Sequence, residues 1–524
     1  MSMGRARGVV LLGMEGHLIE VEADIGQSLP AFILLGLPDA ALRESQDRIR
    51  SAAKNAGLDL PARRLTVNLF PASLPKSGSG LDLAILVSAW AADGLLRGTQ
   101  DVLFLAELGL DGRLRPVSGV LPAVASAVNA GVHQVVVAQE NAGEAALVPG
   151  SDVLAASHVS EVAAAFAAPG AGSIPRESLS GLTRMHGGVA EQCEAASEPA
   201  GPDLAEVRGQ QEARFALELA AAGGHHMLLV GAPGAGKTML AERLPSILPP
   251  LEDEQAMEVT AIESISSGAR SVTRLRRRAP FEAPHHSASA AAIVGGGARL
   301  ARPGAVTRAH HGVLFLDEAP EFQRPVLDAL RQPLETGKIV LHRARGAVNY
   351  PARFQLLMAA NPCPCGLNVG SGAACTCSVA QRRGYFSRLS GPLLDRIDLQ
   401  VHVQRPRSAA MALEEPGESS AQVLDRVISA RQAQQARLSA LGKEGGPSIE
   451  RNSQVPLPVL TGALRLPTAA LRSLDTALDR AAISLRGYVR VLRLAWTVAD
   501  VTGAAKPGAD EIDIAMQLRL AAAR

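Results

Sequence analysis

Aromatic residues are scarce in this chain: Phe, Trp and Tyr make up 3% of 524 residues, with two Trp and three Tyr. Its cores must therefore be built from Ala, Leu and Val rather than around large rings. An excess of either charge is also missing, since 52 Lys and Arg face 51 Asp and Glu for a net +1. The chain as a whole is thus no electrostatic magnet for nucleic acid, and any such binding must come from local patches. No apolar run approaches the roughly 18–20 residues of a membrane span. The run from Val9 to Met14 is broken by Gly13, is followed by Glu15, and lacks the length and cleavage pattern of a signal peptide. No clear internal repeat is visible. What remains, 47% hydrophobic and 20% charged, is a soluble globular balance, in a length that suits about three domains.

Against that background stands Gly231-Ala232-Pro233-Gly234-Ala235-Gly236-Lys237-Thr238, which fits G-x-x-x-x-G-K-[ST]. Met227 to Val230 before it reads as a buried strand, and Met239 to Leu244 after it as a helix start, the setting a phosphate-binding loop requires. The glycines let the backbone wrap phosphate oxygens, and free N–H groups at the helix start face them. In this pattern Lys237 reaches the β- and γ-phosphates and the Thr238 hydroxyl binds Mg²⁺.

A second apolar strand, Val313 to Leu316, ends in Asp317 and Glu318. Paired acids here serve a phosphate loop: Asp317 to hold the Mg²⁺ shell, Glu318 to orient or deprotonate the attacking water. A third strand, Phe354 to Ala360, ends in Asn361. The set resembles ring ATPases of the AAA+ class. That resemblance implies that Asn361 senses the γ-phosphate, that the segment around Gln210 holds the adenine, and that Arg396 reaches the neighbouring subunit's site. It also implies a second sensor at Arg486, with Arg490 one turn later as the alternative. Arginine suits such roles because its planar fork is always charged; the alternative for Arg396 is an intrachain bridge to Asp395 or Asp398.

Residues 1–168 alternate strand-like and helical patterns. Within them Leu74-Pro75-Lys76-Ser77-Gly78-Ser79-Gly80-Leu81-Asp82 resembles the nucleophile segment of Lon-type proteases, P-K-D-G-P-S-A-G, and Gly112 to Pro122 resembles the segment carrying the partner lysine. The nucleophile position falls on Gly80 and the lysine position on Leu121, with Ser79 shifted by one residue. A Ser–Lys dyad needs a hydroxyl and an amine within hydrogen-bond reach. The segment therefore reads as a Lon-like scaffold without a protease, and Lys76 as a solvated loop lysine.

Residues 169–202, rich in Ala, Gly, Ser, Glu and Pro, read as a flexible linker. The ATPase core spans 203–404, and 405–524 reads as a helical lid. Within the core, residues 361–378 carry Cys363, Cys365, Cys375 and Cys377. Four thiolates can satisfy tetrahedral Zn²⁺, with four reduced thiols shaping a loop as the alternative. Such cysteine use beside a nucleotide motif points to a reducing cytoplasm. Arg274 to Arg278, and Arg343 and Arg345 near the turn of a hairpin over Lys338 to Tyr350, are candidate phosphate grips or plain surface arginines. His285 and His286 read as local hydrogen-bonding groups, with no third ligand near in sequence.

Taken together, these segments, with Ala283 to Ser289, Ala309 to Glu318, Asn361-Pro-Cys-Pro-Cys-Gly366 and Ser390 to Asp398, resemble the YifB/ComM group of magnesium-chelatase-like AAA+ ATPases over nearly the full length. The expected fold is α/β, an AAA+ core with a helical lid preceded by a Lon-protease-like α+β domain. The resemblance implies a homo-hexameric ring that hydrolyses ATP with Mg²⁺ and acts on DNA, as helicases of branch migration in natural transformation do. Its competitor is a metal-insertion or protein-remodelling chaperone like the magnesium chelatase motor subunit. Ala319, where a leucine is usual, and a longer Ala-rich linker are departures that leave the ATP chemistry untouched.

Overall fold

The computed structural model describes residues 3–36, 40–76, 78–169, 182–188, 201–268, 272–296, 302–343, 346–368, 372–405, 417–441 and 449–520. Two sheets organise them. The first, eight-stranded among the described residues, opens with Gly4–Leu12 and Glu15–Gly26 paired antiparallel around a turn at Gly13, whose φ is 68°. Arg64–Phe70, Ala31–Leu35, Val102–Leu105, Gln134–Ala138 and Asp152–Ala156 extend it on both sides. The helix Asp82–Ala92 is apolar nearly all round, and so it is buried on nearly every side against that sheet. On the opposite face lies the helix Val120–Asn129.

Linker composition predicts no regular structure over 169–202, yet Thr183–His186 forms the edge strand of this sheet, antiparallel to Asp152–Ala156. Arg184 fixes it there, its Nε donating to Asp152 Oδ1 at 2.7 Å. Four exposed residues give no hydrophobic pattern to read, because an outer edge strand needs only backbone partners.

The second sheet is parallel, ordered Phe281–Glu282, Val313–Leu316, Gln355–Ala360, Met227–Gly231, Leu399–Val403. Its inner strands are buried on both faces, which is why they read as unbroken apolar runs rather than alternating ones. Met227 and Leu229 face one core, which they share with the C-terminal helices Ser420–Leu441 and Leu485–Thr502 through Val427, Ala430, Leu494 and Trp496. Leu228 and Val230 face another, built with Val306, Phe322, Leu327 and Tyr350. Helix Leu485–Thr502 starts where the Ser484 hydroxyl accepts from Gly487 N at 3.1 Å and stops at Gly503, φ 77°.

The two sheets meet through the helix Asp253–Ser266, which packs on Val120–Asn129; Gly119 N donates to Ser264 O at 3.3 Å. No described helix is long and apolar enough to cross a membrane.

Candidate nucleotide site

Three strands of the parallel sheet deliver the candidate residues to one edge. Met227–Gly231 runs into the glycine loop, Val313–Leu316 into Asp317 and Glu318, and Gln355–Ala360 into Asn361. The carboxyl ends of parallel strands are where an open α/β sheet forms its binding crevice. In the loop, Gly234 and Gly236 take φ of 74° and 91°, values that side chains rarely adopt. The helix that follows, Lys237–Arg243, starts at the loop's last Gly.

Side chains then close the site. Lys237 Nζ donates to Gly231 O at 2.7 Å, to Ala232 O at 3.1 Å and to Asn361 Oδ1 at 3.1 Å. Burial lowers the Lys237 ammonium from its ordinary range, against the pull of Asp317 and Glu318. Thr238 Oγ1 donates to Asp317 Oδ2 at 2.8 Å. This hydroxyl, in the first turn of the helix after the glycine loop, and this carboxylate, just past the strand Val313–Leu316, are a hard-oxygen pair of the kind Mg²⁺ takes, so the residues present fit the ion. Gln210, itself left-handed at φ 52°, donates Nε2 to Ala235 O at 2.8 Å and braces the loop from the side. Arg405 Nε holds Pro233 O at 2.9 Å.

Glu318 sits at φ 51°, a strained setting for a non-glycine residue. His286 Nδ1 lies 3.4 Å from Glu318 Oε2. Sequence reasoning missed this contact, for nothing local links residues 32 positions apart; both histidines read as local hydrogen-bonding groups, and His285 does bond Ser287 Oγ at 2.8 Å while His286 reaches Glu318. A second missed feature stands behind the acid-bearing strand. His310 Nε2 and His311 Nε2 both meet Glu258 Oε2, at 2.9 and 2.7 Å. These three could ligate a metal by proximity, but His310 Nδ1 accepts the Arg353 N–H at 3.0 Å. Its proton therefore lies on Nε2 and points at Glu258, making the trio a hydrogen-bonded bracket between helix Asp253–Ser266 and the strand. Those bonds hold the Glu258 carboxyl well below the usual carboxylate range.

Arg396 and Arg486 lie elsewhere. Arg396 pairs with Glu335 and the Pro392 carbonyl, not with Asp395 or Asp398. Arg486, exposed, lies 3.5 Å from Asp395. Both line a cleft of about 450 Å³ together with Arg331 and Glu335, and no residue of the glycine loop lines it. Arg490 is taken up by the buried Asp398, so Arg486 is the freer of the two candidates.

The four cysteines converge. Cys363 Sγ is 3.3 Å from Cys365 Sγ, both are 3.7 Å from Cys375 Sγ, and all four sulfurs lie within 4.8 Å of one another. None is disulfide-bonded. A tetrahedron with Zn–S near 2.3 Å has edges of about 3.8 Å, so these residues fit Zn²⁺.

Among the basic candidates, Arg276 and Arg277 pair with Glu263 and Asp253, as plain surface arginines do. The hairpin Lys338–Arg343 with Gly346–Pro351 forms as expected, while Arg345 lies outside the described residues. In the Lon-like segment Lys76 is buried, not solvated: its ammonium donates to Pro71 O. Ser79 Oγ is bound to Glu107, an acceptor that holds the hydroxyl but is no lysine base.

Comparison with known families agrees with this geometry. Residues 203–411 match the family described as magnesium chelatase, subunit ChlI; residues 21–141 match subunit ChlI of Mg-chelatase; and residues 417–519 match its C-terminal family. An uncharacterised protein of Mycobacterium tuberculosis is 46% identical over 100% of both chains. YifB of Escherichia coli is 39% identical over 96% of this chain and 94% of its own, and the competence protein ComM of Haemophilus influenzae is 38% identical over 94% and 92%. Fold and site thus define a magnesium-chelatase-like AAA+ protein, which implies an ATPase that uses ATP and Mg²⁺. Within that class, the chain belongs to the YifB/ComM family.

Proposed function

We propose that the chain is an ATP-driven motor on DNA, working as a homo-hexameric ring whose nucleotide sites are completed between subunits. The observation that carries this reading is the separation of the arginine cleft from the glycine loop of the same chain. Arg396 and Arg486 would serve a neighbour's nucleotide, and a ring supplies that neighbour. Within one subunit the loop N–H groups and Lys237 would hold the phosphates, Thr238 and Asp317 the Mg²⁺, and Gln210 the side of the loop nearest the base. Bound Mg²⁺ would supply charge stabilisation to the phosphate oxygens. Glu318 would take the proton of the attacking water, with Asn361 orienting it and linking it to Lys237. His286, at 3.4 Å, would set where the Glu318 carboxylate rests between turnovers. The four cysteines would hold a structural Zn²⁺, in the cytoplasm that keeps such thiols reduced.

The DNA assignment draws support from the competence relative and the full-length likeness to it. The Lon-like segment sets Glu107, not a lysine, beside Ser79, which supports a docking role for the N-terminal unit on helix Asp253–Ser266 rather than Ser–Lys proteolysis. The decisive experiment measures ATPase activity of the purified full-length chain with and without single-stranded or branched DNA. We expect stimulation and a salt-sensitive gel shift. Absence of both would overturn the motor reading in favour of a protein-remodelling role, for which a partner protein, not DNA, should stimulate hydrolysis.

A further inference from the structure

We propose that the cysteine knuckle is a metal-dependent brace for the phosphate loop, so that Zn²⁺ occupancy sets how well the chain binds and turns over nucleotide. This rests on the assignments of Zn²⁺ and nucleotide made above.

The turn that carries the first cysteine pair grips the loop from two sides. On one side, Asn361 stands two residues before Cys363 and accepts the Lys237 ammonium at 3.1 Å. On the other, Gly366 packs against Pro233 so closely that a Cβ at position 366 would lie 2.5 Å from Pro233 Cδ. Gly366 also holds φ at 75° and donates its N–H to Cys363 O at 3.0 Å, closing the turn. Pro233 is pinned from outside by Arg405, so the loop has little room to follow if the turn shifts.

The second cysteine pair ties this turn to the acid-bearing strand. Cys377 leads directly into the helix Val379–Phe386, capped by Ser378 Oγ accepting from Gln381 N at 3.2 Å. Just beyond that helix, Arg388 Nη1 reaches Glu321 at 2.8 Å and the Pro320 carbonyl at 3.2 Å, in the turn after Glu318. Asn368 accepts from Arg382 at 2.8 Å, adding one bond between the knuckle and the helix. The two cysteine pairs have no covalent link. A closed four-thiolate ion would join them, and structural sites of that kind contribute folding free energy directly. With the ion gone, Asn361 and Gly366 lose the anchor that positions them on Lys237 and Pro233.

The test uses the full-length protein. Zinc is measured by elemental analysis, and then fluorescent ATP-analogue binding and ATPase rate are followed before and after extraction with a chelator selective for Zn²⁺ over Mg²⁺, with circular dichroism to follow folding. We expect close to one zinc per chain. Extraction should lower turnover roughly ten- to a hundredfold, the scale of small misplacements in a catalytic site, and added Zn²⁺ should restore it. Gly366→Ala should keep its zinc and still weaken nucleotide binding. Cys375→Ser with Cys377→Ser should lose the metal; if that variant fails to fold, extraction and Gly366→Ala carry the test. Protein without zinc would overturn the metal assignment while leaving the nucleotide site standing. Zinc-loaded protein whose nucleotide binding survives extraction would overturn the brace. Zinc-loaded protein that binds no nucleotide would overturn the nucleotide assignment on which the brace rests.

Discussion

Each of the two sheets buries an aspartate against an arginine, and the two carboxyls respond in opposite ways. Under the eight-stranded sheet, Asp82 meets Arg48 Nε at 2.9 Å and Nη2 at 3.3 Å, with Leu108 N–H at 3.4 Å. Burial nevertheless pushes its carboxyl up to about 6, and neighbouring Glu107 adds to the rise. Under the five-stranded sheet, burial pushes Asp398 in the same direction. There Arg490, His225 and the His226 N–H at 3.1 Å surround it and hold it well below the usual carboxylate range. The difference lies in the surroundings of each carboxyl, not in the presence of an arginine: His225 and His226 join Arg490 around Asp398, whereas the acidic Glu107 faces Asp82. It also follows position. Asp398 ties the helix Leu485–Thr502 to the strand beside the glycine loop, whereas Asp82 starts the helix Asp82–Ala92 of the other sheet. The carboxyl beside the glycine-loop strand is held charged, and the one under the other sheet is proton-sensitive.

The largest effects that could break this contrast concern catalysis. Glu318→Gln should cut ATP hydrolysis by about 10²–10⁴-fold, the range for a lost general base, while ATP binding survives and the ring is stabilised, read by phosphate release and by mass in solution. Ser79→Ala, under the other sheet, should leave the rate unchanged. A wild-type rate in Glu318→Gln would remove the base assignment, and a loss of hydrolysis in Ser79→Ala would put chemistry under the wrong sheet.

Next in size come the two buried pairs. Asp398→Asn leaves Arg490 uncompensated against a buried site and should lower the local opening free energy by about 3–5 kcal/mol. Asp82→Asn removes a carboxylate that already resists ionisation, and Arg48 keeps partial access to water, so the change should stay within about 1 kcal/mol. Peptide-resolved hydrogen exchange on the full chain reads both, because it reports each region separately. Equal losses would mean that the arginine alone decides.

Much of this was legible in the sequence for a physical reason: a phosphate loop and its acids are each a short string at a strand end, fixed by backbone geometry. The three inner strands and the clustering of the cysteines follow from local pattern. What was not legible depends on contacts between distant segments. His286 against Glu318, Glu258 against two histidines, and Glu335 as the holder of Arg396 join positions 32 to 61 residues apart, and no periodicity encodes them. Lys76 looked solvated because glycine and serine surround it, yet the Pro71 carbonyl gives its ammonium a buried partner. The edge strand Thr183–His186 hides in linker composition because backbone pairing needs no apolar side chain.

The smallest expected effect is a difference in sign, and it sharpens the contrast most. Lower the pH from 7 to 5. Asp82 has a folded pKa of about 6 against 3.8 unfolded, so the folded state takes the proton first, and stability from this group rises on acidification and is lost as pH climbs back through 6. Under the other sheet, burial lowers His226 to about 4 and also lowers His310, against 6.5 unfolded. The unfolded state then takes those protons first, and stability falls as pH drops below 6.5. Asp398 and Glu258, both depressed, contribute fully through this window and begin to fail only below about 4.5. Exchange protection, corrected for its intrinsic pH dependence, should therefore rise in the helix Asp82–Ala92 and fall in the strands Met227–Gly231 and Leu399–Val403. Asp82→Asn should abolish the rise and leave the fall untouched. A fall in both regions of the wild-type chain would mean that Arg48 holds Asp82 ionised after all, and the two carboxyls would then differ in degree rather than in direction.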